Sequence, residues 1–320
     1  MNVATARSVL AKNSKSFALA GRLLPARCLD DAAVLYAWCR RADDAIDNAS
    51  HDTAAAQLSV LRRELASVYE GLPQSDDTLR EFQHLVRRLD IPRSQPEALL
   101  DGFSTDIGIV RFDTLDELIL YAYRVAGVVG LMMCPVLGVH NRAAWSRATH
   151  LGIAMQLTNI CRDIAEDWER QRLYVPGEIL ARFGLADLGL RLGGPIPVAA
   201  RIPLRQAVGR VLDLADEYYR SGDIGLQFLR PRVAVAIRSA SKIYSSIGTV
   251  LRRADCDALR GRAVVSNAEK IHLVLLAVLE ETTARLRMAL RSLGARVPIV
   301  RQFSPLVGID ATGEGLFNAI

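Results

Sequence analysis

Four polar residues between Leu151 and Pro176 have types and spacing suited to chemistry. In LGIAMQLTNICRDIAEDWERQRLYVP, Gln156, Asn159, Asp163 and Asp167 step by three, four and four. At ~100° per residue they fall within roughly 80° of arc, a single stripe on one helix. Asp163 and Asp167 form an i,i+4 like-charge pair, which costs an isolated helix a few tenths of a kcal/mol. Glu166 and Glu169 add further negative charge. Amide and carboxylate oxygens are the hard ligands that Mg²⁺ takes when it also holds substrate phosphates. The alternative is a solvated acidic face with chance spacing, and a second stripe facing the first would decide between them.

A second stripe lies between Asp30 and Asn48. Tyr36, Arg40, Asp43 and Asp47 step by four, three and four and share about 60° of arc. Ala32, Ala33, Leu35, Ala37, Trp38 and Ile46 supply the buried side. A solvated face does not usually align a Tyr with an Arg and two carboxylates. If the two helices confront one another across a bundle, their carboxylates cage several Mg²⁺ ions, which would let a diphosphate leave as an anion.

The elements that would hold these stripes are helical. The 320-residue chain is half hydrophobic, with Ala, Leu and Arg abundant and few period-two β-branched runs, which indicates an all-α globular fold. Pro176 stops the acidic helix. Residues 51–92 give one or two amphipathic scaffold helices. Pro96 to Phe112 reads as another, carrying Asp101 and Asp106. The segment DTLDELILYAYRVAGVVGLMMCPVLGV starts at a cap, Asp113 or Thr114, and continues apolar. Gly127, Gly130 and Gly138 each cost ~1 kcal/mol inside a helix, which argues for close helix packing or for room beside a long apolar ligand. A Gly-rich connector follows Pro176. Helical periodicity resumes at Leu204, again from Arg232 to Arg253 with Tyr244, and again after a turn carrying Arg260 and Arg262. Near the N-terminus, Ser14, Lys15, Ser16 and Phe17 fit a helix cap and staple, or a flap whose hydroxyls meet phosphate. From Gly294 onward the amphipathic pattern ends, so the expected organisation is one domain over 1–293 and an irregular tail over 294–320.

Several classes are disfavoured. The net charge of +5 is scattered without a basic block, so nucleic acid is not the expected partner, whereas an anionic substrate or an acidic membrane surface is compatible. Five cysteines without a CxxC pair suggest free thiols in a reducing compartment. The N-terminus lacks a signal-peptide apolar run, and the longest uncharged apolar run, Val125 to Val139, is short for a membrane span. The five histidines lack metal-ligand spacing, and there is neither a P-loop nor a dinucleotide fingerprint.

Taken together, these motifs resemble the squalene/phytoene synthase family. YAWCRRADDAID carries the first Asp-rich motif, and QLTNICRDIAEDWERQRLYVP the second, extended through Arg172, Tyr174 and Pro176. YAYRVAGVVGLMMCPVL from Tyr121, the N-terminal SKSF and the C-terminal IYSSIG…RGR also fit, so the resemblance spans roughly residues 8–290. Within the family the chain is most similar to the bacterial phytoene synthases. One departure is the spacing from Tyr244 to Arg262, one residue longer than the family pattern, which leaves Arg260 as a rival phosphate contact.

The resemblance implies a single-domain, all-α isoprenoid-synthase bundle around a central cavity. It implies head-to-head condensation of two geranylgeranyl diphosphates, through cyclopropyl prephytoene diphosphate, to phytoene. Asp43, Asp47, Asn159, Asp163 and Asp167 would hold Mg²⁺ or Mn²⁺, with Tyr36 and Arg40 catalytic beside the aspartates. Ser14, Ser16, Phe17, Tyr121, Gln156, Asn159, Arg162, Arg172, Tyr244 and Arg262 would contact substrate. No NADPH is expected. The implied location is cytoplasmic, with room for peripheral association at the inner membrane face and for contact with the downstream phytoene desaturase. The rival readings are a farnesyl-diphosphate-using sibling making presqualene diphosphate, squalene or dehydrosqualene; a chain-elongating prenyltransferase or terpene cyclase, against which the QxxN…RDxxED stripe argues; and a non-catalytic helical interaction protein.

Overall fold

The computed structural model describes residues 3–292, and the tail expected from Gly294 lies outside them. The order is α1 (Val3–Asn13), α2 (Lys15–Gly21), α3 (Ala26–Asp47), α4 (His51–Glu70), α5 (Asp77–Arg88), α6 (Ser94–Thr105), β1 (Val110–Arg111), α7 (Leu115–Ala122), α8 (Val128–Val136), α9 (Trp145–Arg162), α10 (Ile164–Glu169), β2 (Arg172–Leu173), α11 (Gly177–Ala181), α12 (Arg201–Ile224), α13 (Pro231–Arg253) and α14 (Asn267–Ser292). The two strands are two residues each and pair in parallel, Val110 with Arg172 and Arg111 with Leu173. The all-α expectation therefore holds, with one short ladder where the sequence pattern suggested helix up to Phe112. That helix stops at Thr105, and Asp106 caps it.

α3 forms because its apolar residues recur at helical spacing. Ala33, Leu35, Ala37, Trp38, Ala42 and Ile46 are buried, and Trp38 stacks on Phe82 of α5 with ring centroids 4.2 Å apart. α9 buries Ile153, Ala154, Leu157, Ile160 and Cys161 on its inner side and packs extensively on α12. Ser14 caps α2 by accepting from the Phe17 N–H, which is the helix-cap reading of SKSF. Thr114 and Glu117 make a reciprocal capping box at the start of α7.

α7 and α8 join through one π turn, Tyr123–Gly127. This helical rod, Leu115–Val136, is long and apolar enough to cross a membrane, but half of its most apolar window is buried inside the fold. α8 crosses α9 on glycines. A Cβ on Gly130 would sit 2.3 Å from the Ala148 carbonyl oxygen, and one on Gly152 would sit 2.3 Å from that of Ala126. Close packing thus explains Gly130. Gly138 lies beyond the helix at φ +73°, a left-handed conformation that glycine adopts without strain. All five cysteines are unpaired.

Candidate active site

A cavity of about 470 Å³ runs between α3, α8, α9 and α13. On α9 it is lined from Arg147 to Asn159, a distance of ~18 Å at 1.5 Å per residue. Its far end is apolar, with Leu24, Leu137, Val139, Leu226 and Leu229. Its near end is polar and aromatic, with Phe17, Tyr36, Arg40, Asp43, Asp106, Tyr121, Gln156, Asn159 and Tyr244. The helix period does the placing here. Tyr36, Arg40 and Asp43 on α3 and Gln156 and Asn159 on α9 line the same chamber because each set occupies one face.

The remaining predicted residues gather at the rim. Arg162 pairs with Asp163, and the Arg262 Nε also reaches Asp163, 3.1 Å away. Arg170 and Arg172 grip Asp47 at 2.8 and 3.0 Å. Asp167 is half-buried near Asp163, Arg172 and Asp106. Tyr244 stacks on Phe17 with ring centroids 4.8 Å apart, and Ser14 lies close enough to its hydroxyl to bear on its ionisation. Ser16 is the exception, since no hydrogen bond among the described residues ties it to this cluster. Arg260 pairs with Asp257 at 3.0 Å, so of the two arginines it is Arg262 that reaches Asp163.

Two details differ from the sequence pattern. The acidic helix is not continuous, because it breaks at Asp163 (φ −102°, ψ 12°) into α9 and α10. The break is slight: the Asp163 N–H still donates to Asn159 and the Asp167 N–H to Asp163. Nor do the carboxylates stand as a ready cage. Among the described residues no three acidic, His or Cys side chains converge as a metal site, and Asp43, Asp47 and Asp163 are each paired with arginine instead. The physical reason is charge balance, since carboxylates this crowded take the nearest cations.

The electrostatics nonetheless suit a hard cation. Burial and the neighbouring Asp47 push the Asp43 pKa up to about 6. Burial and Asp163 push Asp167 up to about 7. The Asn159 Oδ1 is buried without a hydrogen-bond partner in the cavity lining. Oxygen-only donors, an orphaned amide oxygen and destabilised anions fit a divalent cation better than they fit any side chain present.

Asp106 was not singled out from the sequence as a site residue. It is buried, and it accepts from Tyr174 Oη at 2.6 Å and from Tyr121 Oη at 3.0 Å. Those two rings stack with centroids 4.9 Å apart. The Arg172 Nη2 donates to the Asp106 backbone carbonyl at 3.0 Å. No signal in the sequence marks it, because Tyr174 arrives through the β1–β2 pairing.

The chain has known relatives in sequence and in fold. The family model for squalene/phytoene synthase matches residues 10–269. The chain is 38% identical over 279 residues to a 15-cis-phytoene synthase from Paracoccus sp., covering 85% of this chain and 89% of that one. It is 37% identical over 278 residues to a phytoene synthase from Rhodobacter capsulatus, covering 86% and 80%. Among solved structures, a dehydrosqualene synthase with bound ligand superposes with a TM-score of 0.77 at 30% identity, covering 88% of this chain and 96% of that one. A squalene synthase from Alicyclobacillus acidocaldarius shares the fold with a TM-score of 0.69 at 22% identity, covering 79% and 94%.

Proposed function

Since the chain belongs to the squalene/phytoene synthase family, we propose that it is a transferase that joins two geranylgeranyl diphosphates head to head, through prephytoene diphosphate, to phytoene. The observation that carries this reading is an ~18 Å, largely apolar cavity whose polar end carries Arg40 paired with Asp43 beside Gln156 and Asn159. A long hydrocarbon lies along the apolar wall while its diphosphate meets the rim.

Asp43, Asp47, Asn159, Asp163 and Asp167 would hold Mg²⁺, or Mn²⁺ in its place, whose chemistry there is to neutralise diphosphate so that it leaves as an anion. Arg162, Arg172 and Arg262 exchange their carboxylate partners for phosphate oxygens, and Arg40 does the same beside Asp43. Tyr36, Phe17, Tyr121 and Tyr244 set aromatic faces beside the allylic cation, where the ring quadrupole favours positive charge. The apolar wall excludes water, which would otherwise trap that cation as an alcohol. No reductant enters the coupling, so no NADPH is required.

Product analysis after incubation with geranylgeranyl diphosphate and Mg²⁺ tests the reading: phytoene is expected. A hydrocarbon formed only from farnesyl diphosphate would transfer the assignment to the sibling reaction, which the likeness to a dehydrosqualene synthase favours. The apolar product further supports peripheral contact with the inner membrane face and hand-over to the desaturase. Activity recovered wholly in a membrane-free fraction and independent of lipid would argue against both.

A further inference from the structure

Forming phytoene from two geranylgeranyl diphosphates releases two diphosphates and two protons. The last proton leaves after prephytoene diphosphate has ionised and its cation has rearranged. A carbon–hydrogen bond next to the cationic centre breaks, its electron pair becomes the new double bond, and a base must take the proton. Resting on the function proposed above, we infer that the Asp106 carboxylate is that base.

The argument is one of position and elimination within the cavity wall. Asp43 and Asp106 are the only carboxylates among the described residues that line the chamber, and Asp43 belongs to the cation-binding set and pairs with Arg40. The lining thiols of Cys39 and Cys134 are held protonated, their pKa values pushed up to about 12 by burial. The lining guanidiniums are permanently charged.

Asp106 sits at the C-terminal end of α6, where the helix dipole disfavours negative charge. Tyr121 and Tyr174 each donate to a different oxygen of it, which fixes the carboxylate plane. Each oxygen keeps a further lone pair for a proton. Burial, with Asp47 nearby, raises its pKa to about 6, a value poised for proton transfer near neutrality. Facing it are Tyr121 from α7, Tyr174 and Arg172 from the β2 segment, Asp43 and Asp47 from α3, and Asp167 from α10. The protonated acid returns its proton to solvent once the product has left.

The readout is the partition of the committed cation, measured as the ratio of phytoene to the alcohols formed when water captures that cation. Groups that act on ionisation, including Asp43, Asp47, Asp167 and Arg172, cancel from this ratio. Asp106→Asn should lower the ratio by about 10²-fold, while release of the first diphosphate stays within a few-fold of the parent. An unchanged ratio would assign the proton to a departing diphosphate. Equal loss of first-diphosphate release and phytoene would make Asp106 a support for the tyrosines only. If circular dichroism shows Asp106→Asn to be unfolded, the parent enzyme decides: its ratio should fall as the pH drops below about 6, and a ratio flat from neutral pH down to pH 5 overturns the inference. Failure of the parent to make phytoene at all would instead overturn the function proposed above.

Discussion

Replacing Gly152 by alanine adds one methyl group at the crossing of α8 and α9, and the geometry there gives the consequence its sign. The new Cβ would lie 2.3 Å from the Ala126 carbonyl oxygen and 2.7 Å from its carbon. Contacts under 3.0 Å are essentially never seen for a real Cβ, so the helices must part by most of an ångström. The obstacle is backbone inside the Leu115–Val136 rod, which cannot swing aside as a flexible side chain would. Overpacking of this kind costs about 1–3 kcal/mol, and a backbone obstacle places it at the upper end. Alanine returns up to ~1 kcal/mol of helix propensity, which leaves a net loss of about 2 kcal/mol. At ~2.1 cal/mol/K of unfolding entropy per residue, a 320-residue chain loses about 3 °C of melting temperature for that change. Because Gly152 and Gly130 both line the cavity, parting the helices should also lower turnover in protein that remains folded. The internal control is Gly209→Ala in α12, whose added Cβ would meet only the Cys256 Sγ at an ordinary 3.7 Å. It should stabilise by up to ~1 kcal/mol through the same propensity gain. Differential scanning calorimetry on both variants compares the signs. A Gly152→Ala protein that melts at or above the parent temperature, as Gly209→Ala should, refutes the close-packing argument.

Asp43→Ala or Asp163→Ala should keep the helical circular dichroism of the parent and lower metal-dependent diphosphate release by about 10²–10³-fold; a large loss of helical signal would make these residues scaffold instead. Arg262→Ala should weaken substrate binding and turnover while Arg260→Ala changes little in either, since Arg262 reaches Asp163 whereas Arg260, itself exposed, pairs with Asp257 away from that carboxylate; steady-state kinetics on the two variants separate them. The metal-free protein should melt higher at pH 5 than at pH 8. Asp43, Asp106 and Asp167 have native pKa values raised to about 6, 6 and 7, so the native state binds protons more tightly than the unfolded chain there. Their stabilising contribution is present at low pH and is lost as the pH rises through those values. Saturating Mg²⁺ should recover stability at pH 8, by linkage to a state that binds the ion, and a thermal shift series with and without the ion tests both signs.

Much of the site was legible because helix periodicity is a local property of the chain. Backbone bonds between residues four apart repeat every ~3.6 residues, so the spacing of Tyr36, Arg40 and Asp43, and of Gln156 and Asn159, placed each set on one face before any tertiary contact was known. The same locality made Ser14 and Thr114 readable as caps. The break at Asp163 leaves no mark in the sequence, because its backbone departs from helical geometry at one residue while the flanking hydrogen bonds persist.

By itself, then, the order of residues determined the helical class, the two polar faces and the chemistry those side chains can perform. Tertiary structure alone decided which faces meet. It brought Arg172 to Asp47, 125 residues away, and Tyr174 to Asp106, 68 residues away. It chose Arg262 over Arg260 for the rim, and it gave Asp106 its place in the wall. The reason is that hydrogen bonding along one helix fixes where side chains point around its axis, whereas the approach of distant segments follows from burying apolar area between helices, which no local spacing encodes.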